Sequence, residues 1–350
     1  MYGIKASIGM QGTGETEDWR LLMDRVRWGL LSTADINSEL IPVIRASERG
    51  ELVAVASRDL EKAQAYAAEW EIPQAFGSYE AMLESGDIDA VYIGLPNHLH
   101  ATWSISAMQA GKHVLCEKPL ATSVDEVDRM AASSGVTGCK LAEAFMYRHH
   151  PQTKIAGEWA RSGRLGEITV VRGTFNFPLE DRGNIRLVPE YGGGCLWDVG
   201  VYPLSFAQFI LGGAPQRVAA EQWVGDSGVD EVFTSQMYYA DGRLAQITSS
   251  FRTPFYASAE IIGTAGRLFL TKAFNDLKTG RRMTFYPKEG EPQDVPVPEE
   301  DLYLGEVEDM HAAILDGVPN YLTLEESREH IRTAVALYQA AERRQVVYLD

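Results

Sequence analysis

From residue 26 to residue 116, short apolar runs alternate with stretches of helical periodicity, and this alternation restricts the fold more than any other property of the chain. The runs at 26–31, 52–57, 90–94 and 113–116 read as strands. Between them, 35–46, 59–70 and 98–110 carry apolar residues or alanines at helical spacing. Parallel neighbours cannot be joined by a tight hairpin, so strands separated by helices of this length imply right-handed crossovers and a parallel sheet. Doubly wound sheets of this kind bind ligands in the crevice outside the carboxyl ends of their strands. The expectation is a nucleotide-binding first half.

A chain of 350 residues exceeds the size at which one core usually stops growing, so a second domain is expected. The predicted division is an extension at 1–24, an α/β Rossmann dinucleotide-binding domain at 25–147, and an α+β domain at 148–350 with an open, mostly antiparallel sheet. In the second domain one helix precedes a strand at 168–175, an irregular loop runs to Gly194, and a helix covers 196–211. Strand character follows at 217–224, 232–239, 244–250 and 257–262, with Ala240-Asp241-Gly242 placed as a hairpin turn. The acidic, proline-bearing stretch 289–300 reads as a solvent loop. Helices at 305–315 and 324–342 close the chain and are expected to pack back on the first domain. Gly9, Gly12 and Gly14 imitate a phosphate loop, but no strand precedes them and no helix pattern follows, so 1–24 reads as a flexible or loosely docked tail with one short helical turn near Trp19.

The formal net charge of −17 argues against nucleic acid or an anionic membrane as partner, since both require a basic footprint. Cys116, Cys139 and Cys195 lack metal-ligand spacing, and the chain shows no charged-then-apolar leader. No apolar run approaches the roughly 18 residues that would suggest a membrane span. These readings predict a cytoplasmic protein without a structural metal, acting on a small molecule.

The motif residues cluster at strand ends. In Gly111 to Ala121, GKHVLCEKPLA, a short apolar strand delivers Glu117, Lys118 and Pro119 to the rim of the expected crevice, with Glu117 and Lys118 as candidate cofactor contacts, although a solvated lysine would give the same pattern. The turn after the first strand reads Gly29-Leu30-Leu31-Ser32-Thr33-Ala34-Asp35-Ile36. Ser32 and Ala34 stand where later glycines of a dinucleotide fingerprint would be, yet their small side chains permit close approach of a pyrophosphate, which makes Ser32, Thr33, Ala34 and Ile36 candidate cofactor contacts. At the end of the second strand, Ser57-Arg58 replaces the carboxylate that would bind ribose hydroxyls; with Lys62 four residues on, this favours NADP, NAD being the second choice. Leu95, Pro96, Asn97 and His100 follow the next strand, Asn97 being equally suited to cap a helix and His100 to sit beside the nicotinamide ribose or at the surface.

Four ordered motifs then carry a resemblance: PNHLH at 96–100, AGKHVLCEKPLA at 110–121, EAFMYRHHPQ at 143–152 and GGGCLWDVGVYPL at 192–204. Together they resemble the Gfo/Idh/MocA oxidoreductase family, and most nearly its branch of pyranose dehydrogenases, glucose-fructose oxidoreductases and dimeric dihydrodiol dehydrogenases. The resemblance implies hydride transfer between NAD(P) and a sugar, with aldose oxidised to lactone; reduction of a keto-sugar, oxidation of a cyclic diol and a non-catalytic sensor are the alternatives. It also implies a homodimer or homotetramer formed through the open face of the second sheet. Asp198 and Tyr202, four residues apart, share one face of the predicted helix. Where many relatives carry histidine this chain has Tyr202, which the branch implies is the acid/base, with Lys118 as its electrostatic partner. Free tyrosine titrates near pH 10, so work near neutrality requires a shift of roughly 3 units, about 4 kcal/mol, in the direction an ammonium supplies. Asp198 could instead serve helix donors. Arg148 is an expected cofactor contact, and Tyr147, His150 and Arg186 are expected at the substrate, although Pro151 also marks an ordinary helix start and Arg186 suits a loop surface.

Overall fold

The computed structural model describes residues 24–275 and 280–349. The glycines and the short turn expected in the first 23 residues lie outside them.

The first half is a six-stranded parallel sheet. Its elements are β1 (Val26–Leu31), α1 (Asn37–Ala46), β2 (Gly50–Ala56), α2 (Leu60–Glu69), β3 (Gln74–Phe76), α3 (Tyr79–Leu83), β4 (Ala90–Ile93), α4 (His100–Gln109), β5 (His113–Glu117), α5 (Val124–Thr137) and β6 (Leu141–Ala144). The strand order β3-β2-β1-β4-β5-β6 is that of the doubly wound dinucleotide-binding fold, with its reversal between β1 and β4. Helices cover both faces, so the central strands are apolar throughout: Trp28, Leu30 and Leu31 on β1 and all four residues of β4 are buried. Asp59, Ser78 and Ser123 cap α2, α3 and α5 through their side-chain oxygens. Between β4 and α4 the chain first makes a single 3₁₀ turn, Asn97–Leu99, within the stretch expected to be one helix.

After α6 (Met146–His149) and α7 (Pro151–Arg161) come β7 (Ile168–Asn176), an irregular loop, a π-helical turn at Leu196–Gly200 and α8 (Val201–Leu211). Strands β8 (Arg217–Val224), β9 (Asp230–Tyr238), β10 (Leu244–Ser250), β11 (Tyr256–Gly263), β12 (Gly266–Thr271), β13 (Met283–Pro287) and β14 (Gln293–Val295) follow, then α9 (Leu304–Leu315), α10 (Leu324–Arg343) and β15 (Val347–Tyr348). They form a nine-stranded sheet, β14-β13-β12-β11-β7-β10-β9-β8-β15, antiparallel except where β7 runs parallel to β10. The stretch 289–300 is therefore not all solvent loop. It holds edge strand β14, whose Gln293 and Asp294 are exposed and polar, and a short charged edge leaves no apolar alternation to read.

By length and hydropathy alone residues 189–211 would be long and apolar enough to cross a membrane, but the segment is broken at 192–194 and is not one continuous helix. Of its most apolar window 89% is buried within the fold, as suits a core helix. The last two helices pack on both sheets. Trp28 Nε1 on β1 donates to His311 Nε2 on α9 at 2.9 Å, and Arg328 on α10 pairs with Asp128 on α5 at 2.6 Å.

α8 crosses β7 at Gly173, where a Cβ would lie 2.5 Å from Pro203 Cβ. The absent side chain sets how closely helix and sheet approach, so Gly173→Ala is expected to destabilise the protein by about 2 kcal/mol through overpacking. Thermal unfolding should show a midpoint lower by several degrees; an unchanged midpoint would contradict this packing.

Candidate active site

A cleft of about 880 Å³ opens between the carboxyl ends of β1, β2, β4 and β5 and the inner face of the second sheet. Its far end is lined by Ser32, Thr33, Ala34, Ile36, Ser57, Arg58 and Lys62, and its middle by Leu95, Pro96 and Asn97. Ser32 has a φ of 153°, a backbone state that glycine adopts more readily than serine. Two bonds hold it there: Ser32 Oγ donates to the Gly94 carbonyl at 2.8 Å, and Asn37 Nδ2 donates to the Ser32 carbonyl at 2.9 Å. No side chain caps α1; the N–H groups of Asn37, Ser38 and Glu39 donate instead to the Ala34, Asp35 and Ile36 carbonyls, each at 3.1 Å, and the turn 32–36 before them lines the cleft. Asp59, the one carboxylate adjoining Arg58, is turned back into α2, where it accepts from Glu61 N at 2.9 Å and Lys62 N at 3.3 Å. The exposed Arg58 and Lys62 are thereby the charges presented at the end of β2, a donor set that fits a phosphate-bearing dinucleotide.

At the near end, β5 delivers Glu117 and Lys118, the Lys118–Pro119 peptide being cis. The second domain supplies Asp198 from the π-helical turn, Tyr202 from α8 and Arg186 from the loop after β7. Lys118 Nζ donates to the Asp198 carbonyl at 2.7 Å and to Asp198 Oδ1 at 3.2 Å, while Arg186 Nε donates to Asp198 Oδ2 at 2.9 Å. Burial opposes ionisation of Asp198, but the two cations prevail and hold its carboxyl below the usual range. Its charge is thus spent on side chains and not on helix donors. The buried Asp230 takes that role, accepting from Leu196 N at 2.8 Å at the start of the turn and from Tyr338 OH at 2.8 Å.

The Lys118 ammonium lies 5.1 Å from the centre of the Tyr202 ring, against its face and not at its hydroxyl. Contrary to expectation, the phenol is not pulled toward neutrality. Burial, with the negative charge of Glu117 next in importance, pushes it well above its ordinary value.

Four expected site residues are absent from the cleft wall, each because an interior partner claims it. His100 is fully buried, its Nδ1 2.8 Å from the Pro119 carbonyl and its Nε2 2.7 Å from the Leu95 carbonyl; it ties together the two loops that carry Lys118 and Asn97. Tyr147 donates to Ser205 Oγ at 2.9 Å inside the core. Arg148 pairs with Glu326 at 2.9 Å and lies over the Phe209 ring at 4.2 Å. His150 caps α7, accepting from Gln152 N at 3.1 Å, and contacts Arg281. Asn97 does line the cleft, but it caps no helix: its Nδ2 donates to the Gly192 carbonyl at 2.8 Å, and His98 beside it stacks on Tyr191 at 4.8 Å. These contacts strap the loop after β7 to the first domain.

Sequence reading missed the aromatic wall of Phe175, Phe177, Phe255, Phe274 and Tyr303. The alternation of Gly173 and Phe175 on one face of β7 could have placed the first of these; nothing local marks Tyr303. Among the described residues no group of three His, Cys, Asp or Glu could hold a metal ion.

Strand order, switch-point cleft and the lysine at its rim define a dinucleotide-dependent oxidoreductase. The chain belongs to the Gfo/Idh/MocA family: residues 26–145 match its oxidoreductase domain, NAD-binding Rossmann fold, and 154–269 its C-terminal domain. It is 41% identical, over 92% of its length and 99% of the relative's, to D-xylose 1-dehydrogenase (NADP(+)) 2 of Haloferax volcanii. A 3-ketoreductase of Actinomadura kijaniata, solved with NADP and TDP-benzene, superposes with a TM-score of 0.85 at 30% identity, covering 90% of this chain and 98% of that one. The aldose-aldose oxidoreductase of Caulobacter crescentus, solved with glycerol, gives 0.87 at 25% identity over 93% and 100%.

Behind the site, burial and then the charges of Lys154 and Arg148 hold the His149 imidazole down at about 3. An unfolded histidine titrates near pH 6.5, so the unfolded chain takes up this proton first as the medium is acidified. The contribution to stability is full above about pH 6.5 and is lost as pH falls toward 3. The unfolding midpoint is expected to drop over this window more in the wild type than in His149→Gln; parallel curves for the two proteins would contradict the assignment.

Proposed function

We propose that this protein is an NADP-dependent dehydrogenase of a free aldopyranose, oxidising the anomeric carbinol to the lactone. The observation that carries the reading is the charge balance beside Lys118. Among the described residues lining that end, the cations are Lys118 and Arg186; the Asp198 carboxylate engages both, and the Glu117 carboxyl lies beside Lys118. A neutral polyhydroxylated ring suits such a site, its C–H faces against the aromatic wall and its hydroxyls at Lys118, Asp198 and Arg186. A nucleotide-linked diphosphate would find no uncommitted cation among these residues. The similarity to the xylose dehydrogenase supports the same substrate class.

In this reading Arg58 and Lys62 hold the 2′-phosphate, with Ser57 beside them, and Ser32 to Ile36 line the pyrophosphate. When bound, the nicotinamide supplies the hydride acceptor. Lys118, fixed by Asp198, stabilises the developing alkoxide, and Tyr202 exchanges the hydroxyl proton. A second reading, reduction of a keto-sugar, is favoured by one observation: a Tyr202 phenol held neutral is ready to donate. A non-catalytic sensor has no use for the Lys118, Asp198 and Tyr202 cluster. Subunits would pair as a homodimer or homotetramer through the outer face of the nine-stranded sheet, where Trp223 and Tyr256 are exposed.

Purified protein with NADP⁺ and a panel of aldoses should raise the absorbance of reduced nicotinamide; silence with aldoses and oxidation of NADPH by keto-sugars would reverse the order of the two readings. Lys118→Ala should lower turnover by about 10²–10⁴-fold while cofactor binding stays measurable. Retained activity in that variant would remove Lys118 from the chemistry. Arg58→Ala should weaken NADP by about 10- to 100-fold, the loss of one charged hydrogen bond, and NAD far less; equal losses would end the case for NADP.

A further inference from the structure

Tyr202 poses a problem for oxidation. A phenol that is neutral cannot accept the substrate's proton unless it gives up its own, and among the described residues its hydroxyl meets only the Met146 thioether at 3.6 Å, a weak acceptor. The proton therefore needs a second acceptor facing the same end of the cleft.

We infer that Glu117 is the proton partner of Tyr202, held in place by Tyr92 on β4 and backed by a neutral Glu306 on α9. Glu117 ends β5 beside Lys118 and lines the cleft with Tyr202. One carboxylate oxygen accepts from the Tyr92 hydroxyl and the other from the Lys118 backbone N–H at 3.2 Å. Tyr92 is fully buried, so its hydroxyl acts through Glu117 and not on a ligand. Glu306, in the first turn of α9, is also buried, and neither of its carboxyl oxygens has a hydrogen-bond partner among the described residues. An ionised carboxylate in that setting would be prohibitively costly, so Glu306 keeps its proton. With the buried Glu306 neutral, Glu117, half-buried at the cleft wall, is the carboxyl of the two that titrates. Burial raises Glu117 above the ordinary carboxylate range, while Lys118 and the Tyr92 hydrogen bond draw it back. The other charged or titratable groups at this end are Asp198, Arg186 and Tyr202, with Tyr303 lining the cleft beside Tyr202 and Tyr92; Cys116, the preceding residue on β5, is buried in the core.

In the oxidative direction the substrate O–H bond breaks and its proton goes to the Tyr202 oxygen, as the phenol's own proton is lost to Glu117 across the end of the cleft that both line, the two groups sharing no direct hydrogen bond among the described residues. The electron pair of the breaking C–H bond would leave as hydride, for which a bound oxidised nicotinamide would be the acceptor. The result is a carbonyl, a neutral tyrosine and a protonated Glu117, which releases its proton to the open cleft. Reduction runs the same transfers backward. The inference rests on Tyr202 being the acid/base but not on which carbinol is oxidised.

The test is the pH dependence of kcat, measured on the substrate that the wild type turns over. Oxidation by the wild type should rise with pH through one ionisation above the ordinary carboxylate range. Glu117→Gln should lose that limb and about 10²–10⁴-fold in kcat while keeping its NADP⁺ affinity, read from cofactor fluorescence. Tyr92→Phe removes a hydrogen bond to the charged form and should move the limb upward by about 1–2 pH units. A Glu117→Gln enzyme that keeps the limb, or a Tyr92→Phe enzyme that leaves it in place, overturns the inference; if Glu117→Gln does not fold, Tyr92→Phe decides. Independently of turnover, infrared difference spectra of wild type against Glu117→Gln should show a carboxyl titrating above the ordinary range, and a normal titration would overturn the assignment. Turnover of a diol or keto-sugar in place of aldoses would sink the proposed substrate alone, leaving this series to be run on the substrate found.

Discussion

The Asp198 carboxylate is the interaction on which the site depends. It takes one cation from each side of the cleft, Lys118 from the first sheet and Arg186 from the loop after β7. Both Lys118 and Asp198 are largely buried, so their desolvation is costly and is offset because the carboxylate has two charged partners and the ammonium also bonds the Asp198 carbonyl. Removing Lys118 leaves the Asp198 charge with one exposed partner, Arg186, in place of two, and is the costlier of the two losses because Lys118 is the more buried cation. The π-helical turn that aims Asp198 is in turn held by Asp230 through Leu196 N. Ligand-facing charge and domain junction are thus one structure.

Around that cluster, the two ends of the cleft are built on different physics. The dinucleotide end is exposed and electropositive, made by Arg58 and Lys62 beside the turn 32–36. At the reaction end Tyr202 and Glu306 are buried, Lys118, Glu117 and Asp198 are partly buried and Arg186 is exposed, and the charges are nearly balanced, with aromatic rings lining the same end. Low local polarity there raises Tyr202, Glu117 and Glu306 together, and it makes each remaining charge strongly felt by its neighbours. The strap of Asn97 to Gly192 and His98 to Tyr191 closes the middle, so that neither sheet encloses the cleft alone.

Much of this was legible in the residues. Strands β1, β2, β4 and β5 stand out because a parallel sheet covered on both faces demands continuous apolar runs. Lys118, Asp198, Tyr202, Arg58 and Lys62 all face the cleft because strand ends and helix spacing place side chains by simple geometry. Strands β3, β14 and β15 escaped notice, being two or three residues long with little apolar surface, and so did β6, β12 and β13, which are four to six residues long. Tyr147, Arg148 and His150 mislead for a related reason. They lie at the junction between domains, where a polar side chain can turn to a ligand or to the core, and Ser205, Glu326 and the start of α7 decided for the core.

What the sequence determined by itself is periodicity: two kinds of sheet, a switch-point crevice, a lysine at its rim, and a tyrosine one helical turn from an aspartate. These follow from neighbours within a few residues. Tertiary structure alone decided the charge state of the site, because pKa values depend on groups far apart in the chain: Glu306 lies 189 positions beyond Glu117 and Asp198 80 beyond Lys118. It also decided that Lys118 serves Asp198 first and Tyr202 through its ring face, since burial leaves an ammonium to seek its nearest carboxylate.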